Sequence, residues 1–227
     1  MFAHHLNVNH LRFLLDGALW TVVLSSIAML GGGLAGFIVA LARISPRESV
    51  RLIAAGYIQL IQGTPLLVIL FVTYFGLPTI GLTISPLTSA AISLTINVSA
   101  YLGEIWRGAI QSVPAPQWEA AECLALTRTQ RMFRVILPQA IRIATPPTVG
   151  FSVQVIKNTS LASVVGFVEL ARAGQLINNS IFQPFPVYLI IAVIYFCMCY
   201  PISRLSRRLE RRRGFASALK LEVLAHE

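Results

Sequence analysis

The charges of this chain are spread so unevenly that they leave windows long enough to cross a lipid bilayer. Between Asp16 and Arg43 lie 26 uncharged residues, and between Arg51 and Glu104 lie 52. From Ile143 to Val168 the only charge is Lys157, and Arg172 and Arg204 bracket 31 further uncharged positions. A helix covers the hydrocarbon with about 20 residues, so the longest window holds two crossings. They are split by "GLPTIGLTISP", Gly76–Pro86, a Gly/Pro-rich turn region. The windows predict five spans, at 17–42, 52–76, 87–110, 139–160 and 184–203. The expected architecture is all-α, an integral membrane bundle forming one domain over residues 1–227. The first window far exceeds the apolar core of about 7–15 residues typical of a cleavable signal peptide, so it reads as a retained helix.

Composition agrees. Only 12% of the residues are charged and 56% are hydrophobic, with a mean hydropathy of +0.71; soluble domains carry about a quarter of their residues as charges. Cys123, Cys197 and Cys199 make no disulfide framework, and Cys and His show no metal-ligand spacing. The cysteines read as small hydrophobes. His4, His5 and His10 read as a solvated tail before the first span.

The net charge of +9 raises nucleic acid as a partner, but the placement of the arginines argues for a membrane. Five crossings put the termini on opposite sides. With the C-terminus inside, the inner segments collect Arg43, Arg47 and Arg51, then Arg107, Arg128, Arg131, Arg134 and Arg142, then the tail 204–227. These are 15 of the 18 basic residues, as the positive-inside rule requires. The tail "RLSRRLERRRG" then faces anionic lipid headgroups rather than nucleic acid.

The loop between spans three and four, residues 111–138, holds the one charged insert. Within it "EAAECLALTRTQRMFRVILP", Glu119–Pro138, carries five charges in twenty residues. "PAPQWEAAEC" has the marks of a helix start, with Pro116 in the first turn and Glu119 and Glu122 suited to the positive end of the helix dipole. Ala120, Ala121 and Ala125 leave room for another surface to approach closely. An amphipathic helix lying on the bilayer would explain the arginines but not the Ala–Ala face.

That insert resembles the EAA motif of ABC-importer permeases: EAA, three variable residues, Gly, a spacer, then a hydrophobic-x-Leu-Pro. The likeness extends through "QGTPLLVILFVTYFGLP" (Gln62–Pro78), "YLGEIWRGAIQSVP" (Tyr101–Pro114), "LPQAIRIATPP" (Leu137–Pro147) and "KNTSLASVVGFVEL" (Lys157–Leu170). Together these blocks are similar to the polar-amino-acid branch, the histidine/glutamine/arginine/opine permeases. The resemblance implies a type I ABC importer (MetI-like) permease fold in a bacterial inner membrane, with the N-terminus outside and the C-terminus cytoplasmic. It implies that Glu119, Ala120 and Ala121 form a coupling helix read by a cytoplasmic ABC ATPase dimer. The implied partners also include a second permease, identical or a sister chain, and a periplasmic or extracellular amino-acid-binding protein. Ala125 stands where the family has glycine; a left-handed turn there would cost alanine on the order of 1 kcal/mol.

The chain has no GxxxxGK[ST] phosphate loop. "GGGLAG", Gly31–Gly36, lacks the lysine and reads as a helix-packing surface. ATP and Mg therefore belong to the partner subunit, and no cofactor is expected in this one.

Polar groups inside the spans mark the expected path. Lys157 is an intramembrane charge followed by Asn158, Thr159 and Ser160; such a charge faces a cavity or a partner, or snorkels to the surface. By the resemblance, "KNTSL" matches a substrate-site segment, and Asn158 stands where many members have Asp, which weakens a preference for cationic substrates. "IQGTP", Ile61–Pro65, frees backbone groups near Gly63 and Thr64, which either line a cavity or are satisfied by neighbouring helices. Glu104 either meets a substrate ammonium or pairs with Arg107 on the same helix face. The expected function is the permease subunit of an ATP-driven importer for polar amino acids. The competing class, an autonomous channel or ion-coupled carrier, predicts carboxylates in the spans, and only Glu104 is one. No Ser/His, paired Asp or HExxH arrangement supports an intramembrane enzyme.

Overall fold

A computed structural model of the chain describes residues 6–225, with side chains through residue 211. It is helical throughout: α1 (Val8–Arg43), α2 (Glu48–Gly63), α3 (Leu66–Phe71), α4 (Pro86–Gln111), α5 (Ala115–Cys123), the single turn α6 (Arg128–Gln130), α7 (Leu137–Asn158), α8 (Leu170–Ile181) and α9 (Pro184–Ala225). Among the described residues, α1 and α9 are long and apolar enough to cross a membrane. The number rises to four if two bent pairs each count as one span.

The α1 start is sharper than its sequence suggests. Asn7 accepts from the His10 backbone N–H at 3.0 Å, and His10 Nδ1 accepts from the Asn7 N–H at 3.3 Å. This capping box places His10 within the first turn of α1 rather than in a solvated tail; His4 and His5 lie outside the described residues. Further along, Leu14, Gly17, Thr21, Leu24, Ala28, Gly32, Gly36 and Ala40 form one buried stripe at helical spacing. Most of these are small, so α1 lies close along α4.

The window 52–76 is not one continuous helix. The axes of α2 and of the segment Leu66–Ile80 that follows it meet at 99°. Pro65 has no N–H to continue the helical ladder, and its ring drives Thr64 into an extended conformation (φ −105°, ψ 129°). The Thr64 hydroxyl turns back and donates to the Leu60 carbonyl at 2.7 Å. α3 then relaxes through a π turn (Val72–Gly76) and a 3-10 turn (Leu77–Ile80).

α4 is the central element. Ser85 caps its start by accepting from the Thr88 N–H at 3.1 Å, and Pro86 occupies the first turn. Its 26 residues are enough to span, yet Ser89, Ser93, Asn97 and Ser99 are all buried along it. Those polar groups lower its hydropathy, and side chains along its length tie it to α2 and α7. Tyr57 on α2 donates to the Ile96 carbonyl at 3.2 Å and lies 2.6 Å from Ser99 Oγ. Trp106 Nε1 donates to Thr148 on α7 at 2.9 Å. α9 lies on α7, where Ser206 Oγ donates to the Pro146 carbonyl at 3.0 Å.

Candidate functional site

Two regions carry the candidate chemistry. The first is a cavity of about 510 Å³ at the α2–α3 break, lined by Gln62, Gly63, Thr64, Pro65, Leu66, Asn97, Tyr101, Phe151, Gln154 and Asn158. The break turns the C-terminal carbonyl end of α2, the negative end of its dipole, toward this space. Tyr101 and Phe151 stack at 5.2 Å between centroids, and Gln154 Nε2 donates to Asn158 Oδ1 at 3.1 Å. No lining side chain is charged at neutral pH, so the cavity is walled by amide, hydroxyl-bearing and aromatic residues.

Of the residues singled out in the sequence, Gly63, Thr64 and Asn158 meet here. Lys157 does not. Adjacent residues on a helix point about 100° apart, and Lys157 faces a separate groove between α7 and α9 with Tyr195, Phe196 and Cys199. Thr159 is fully buried, its hydroxyl donating to the Ile156 carbonyl at 2.8 Å, while Ser160 donates to the Lys157 carbonyl at 2.7 Å. Both hydroxyls are thus bonded to the preceding turn.

Glu104 also lies outside the cavity. Both its carboxylate oxygens receive the Arg107 guanidinium, with Arg107 Nε at 2.9 Å, and Arg43 of α1 approaches to 3.9 Å. A bidentate pair three residues apart is the arrangement the spacing allows, and Arg43 adds a tie from α4 to α1.

The second region is α5 with the turn after it. The helix begins at Ala115 with Pro114 as its N-cap and Pro116 in the first turn. Glu119 and Glu122 lie beyond that first turn, because the helix starts earlier than the glutamates require. Glu122 sits near the C-terminal end and is held by Arg131 at 3.0 Å. Ala121 is buried against the protein's own core, whereas Glu119, Ala120 and Leu124 face outward. The open face is therefore Glu119–Ala120, not the pair of alanines.

Ala125 adopts a left-handed conformation, φ +53°. The Leu126 N–H bonds to the Ala121 carbonyl at 3.3 Å and the Ala125 N–H to the Glu122 carbonyl at 2.8 Å. This pair of bonds is a Schellman C-cap, with Ala125 at the position that favours glycine. The turn is present and its alanine is strained.

Sequence reasoning missed Glu169. It is fully buried and caps α8, accepting from the Ala171 and Arg172 N–H groups at 2.9 and 2.8 Å. Tyr195 of α9 donates to it at 2.9 Å and Thr21 of α1 at 3.4 Å. One carboxylate thereby joins three helices. Its only signal was a lone acid directly before an amphipathic segment.

The helices, the broken span and the polar cavity define a polytopic solute permease. Residues 32–214 match the family described as the inner membrane component of binding-protein-dependent transport systems. The chain is 38% identical over 199 residues to a probable amino-acid ABC transporter permease of Bacillus subtilis, YckA, covering 88% of each. It is 39% identical to the L-cystine transport permease TcyB of the same organism, over 86% of this chain and 84% of that one. It is 36% identical to the glutamine transport permease GlnP of Escherichia coli, over 88% and 92%. Among solved structures, a crystallised amino acid ABC transporter with histidines superposes with a TM-score of 0.85 at 38% identity, covering 90% of this chain and 96% of that one. An inward-facing MetNI methionine transporter shares the fold, with a TM-score of 0.74 at 16% identity over 90% and 99%.

The chain belongs to the binding-protein-dependent permease family, with the type I ABC importer fold. It is the multi-pass permease subunit of an ABC importer in the inner membrane, and the ATPase is a separate subunit. Such a subunit works with a cytoplasmic ATPase, a second permease subunit and a substrate-binding protein.

Proposed function

We propose that this permease carries a polar amino acid with an uncharged side chain, and that the substrate passes the cavity bounded by Gly63, Thr64 and Asn158. The observation that carries this reading is the lining: none of its ten residues is charged at neutral pH, yet amides and the carbonyl end of α2 converge there. Such a site suits a zwitterion whose side chain bonds through neutral groups, and a net charge would enter it without a counter-ion. Relatives named for glutamine and cystine transport are consistent with it. Thr159 and Ser160 shape the α7 turn beside the cavity. Lys157 and Glu104 do not touch the solute in this reading, Lys157 facing the α7–α9 groove and Glu104 being paired with Arg107.

In the same reading, residues 17–42, 52–76, 87–110, 139–160 and 184–203 cross the membrane as one permease domain, with the N-terminus outside and the tail cytoplasmic. A loaded binding protein docks outside, and Mg-ATP closes the partner ATPase dimer. The exposed Glu119–Ala120 face, backed by Ala121 and ended by the Ala125 turn, transmits that movement. The bundles then rock around the Thr64 break, alternately opening the cavity to each side.

Transport into proteoliposomes with the native binding protein, competed by each of the twenty amino acids, tests the substrate. Neutral polar amino acids are expected to compete; competition by arginine, lysine or glutamate alone overturns the cavity reading. In the same vesicles Glu119→Lys is expected to lower substrate-stimulated ATP hydrolysis at least tenfold while the binding protein keeps its affinity. Normal stimulation in that variant removes Glu119 from the coupling contact.

A further inference from the structure

An exposed face of α9, beside the one that lies on α7, has a feature the import reading does not use. Tyr200, Arg204, Arg207, Arg208 and Arg211 fall at the spacing of a single helix face and together line a recess of about 290 Å³. Tyr200 and Arg207 also line the much larger groove of about 710 Å³ between α7 and α9. The two spaces therefore share a wall. Beyond Arg207 the groove is lined by Val153, Ala192, Tyr195, Phe196, Cys199 and Tyr200, with Lys157 of α7 a second cation in it, and Phe196 stacks on Tyr200 at 5.1 Å. The Ser206 bond to the Pro146 carbonyl fixes α9 on α7 at the level of the arginines.

We infer that this groove is a binding site for an anionic phospholipid, its phosphate held by Arg204, Arg207 and Arg208 and one acyl chain laid along Tyr200 and Phe196. The dimensions agree: from Arg207 to Phe196 is eleven residues of helix, about 16 Å, close to one leaflet of a hydrocarbon core about 30 Å thick. Charge chooses the occupant. Four arginines line the recess, and the nearby acid on this stretch of α9, Glu210, is exposed and lines neither space. A second copy of the chain placed on this face by two-fold symmetry would set arginines against arginines. A cluster of arginines at the cytoplasmic end of a transmembrane helix suits anionic headgroups, and guanidinium binds phosphate through paired N–H groups. The inference rests on the cytoplasmic placement of the tail proposed above, which labelling of an introduced tail cysteine with a membrane-impermeant reagent tests separately.

Native mass spectrometry of the purified full chain, titrated with dioleoyl phosphatidylglycerol or dioleoyl phosphatidylcholine, reads the site directly. Phosphatidylglycerol is expected to be retained and phosphatidylcholine to wash out. Removing each guanidinium near the membrane surface weakens binding about fivefold, so the triple variant R204Q/R207Q/R208Q is expected to lose about a hundredfold. If that triple variant does not fold, Ser203→Trp fills the groove beside the arginines and is expected to expel the lipid with every charge in place. Equal retention of the two lipids, or unchanged retention in either variant, overturns the site. So does displacement of phosphatidylglycerol by millimolar inorganic phosphate, which would make this a free-anion site. Disulfide cross-linking between two copies through Ser203→Cys would make it a permease interface and equally end the lipid assignment.

Discussion

Gly32 and Gly63 both sit in charge-free stretches, and the structure uses them in opposite ways. At Gly32 a Cβ would stand 2.5 Å from Val98 Cβ, so the missing side chain is what lets α1 close on α4. At Gly63 a Cβ would meet nothing within 4 Å, because the chain there borders the polar cavity. The first glycine makes a seam and the second belongs to a break. What separates them is the residue that follows. Gly32 is continued by residues that keep the helical ladder, whereas Gly63 is followed by Thr64 and Pro65, which end it. In a membrane a lost backbone bond is tolerated where a cavity or neighbouring polar groups take it up, so the broken stretch is where a polar solute finds partners. The bundle thus combines a close-packed half, α1 with α4, and a half that opens on a polar cavity at the α2–α3 bend.

The seam gives the largest expected effect. Gly32→Val forces a branched side chain into Val98 and the Thr95 carbonyl, 3.1 Å from the ideal Cβ. Overpacking of this kind costs about 1–3 kcal/mol or more, and accumulation of folded permease is expected to fall sharply. Its neighbour is the control. At Gly33 the nearest atom is Trp106 Cη2 at 3.8 Å, an ordinary contact, and Gly33→Ala is expected to be neutral or to stabilise by up to about 1 kcal/mol through helix propensity. Thermal unfolding of both variants in detergent checks the contrast. Equal melting temperatures would mean that the seam has room to spare.

The same contrast explains what could be read in advance. The all-helical membrane fold was legible because a charge in hydrocarbon is expensive, so long charge-free windows point to lipid. Of the five expected spans, two are single long apolar helices among the described residues, and two more appear only if each bent pair counts as one. Packing by Gly31–Gly36 was legible because small residues at a four-residue spacing have one use in such a helix. The 99° bend was not, since Gly63 and Pro65 announce a break while packing against α4 sets its angle. Nor could the chain order decide between Lys157 and Asn158, which are consecutive and face different spaces. Glu104 was legible as one partner of Arg107 but not as a tie to Arg43, which requires knowing that α1 lies beside α4. Glu169 was legible at most as a cap of α8 and not as a tie between helices, its side-chain partners Thr21 and Tyr195 coming from two distant helices.

The break is the next place to press. Pro65→Ala restores an N–H and releases Thr64 from its extended conformation, allowing α2 to run on toward α3. Since Gly63 and Thr64 line the cavity, transport is expected to drop about tenfold with little change in melting temperature. The signature that matters is the split between the two readouts. A variant that loses transport and stability together would place Pro65 with Gly32 as a packing residue, and one that loses neither would take the bend out of the path.

Ala125 sharpens the comparison from the other side, because it is a helix end that lacks the glycine its geometry favours. Its φ of +53° and the two backbone bonds around it are what a glycine adopts without strain. Alanine there is strained by about 1 kcal/mol. Glycine would lose more freedom on folding, but at a positive φ the relief of the Cβ contact outweighs that term. Ala125→Gly is therefore expected to slow hydrogen exchange at the Ala125 and Leu126 positions about fivefold, the equivalent of about 1 kcal/mol of local stability. Faster exchange would mean that the turn is held from outside by the ATPase rather than by its own backbone bonds. In that case the substitution would loosen the isolated permease and leave the assembled importer unchanged.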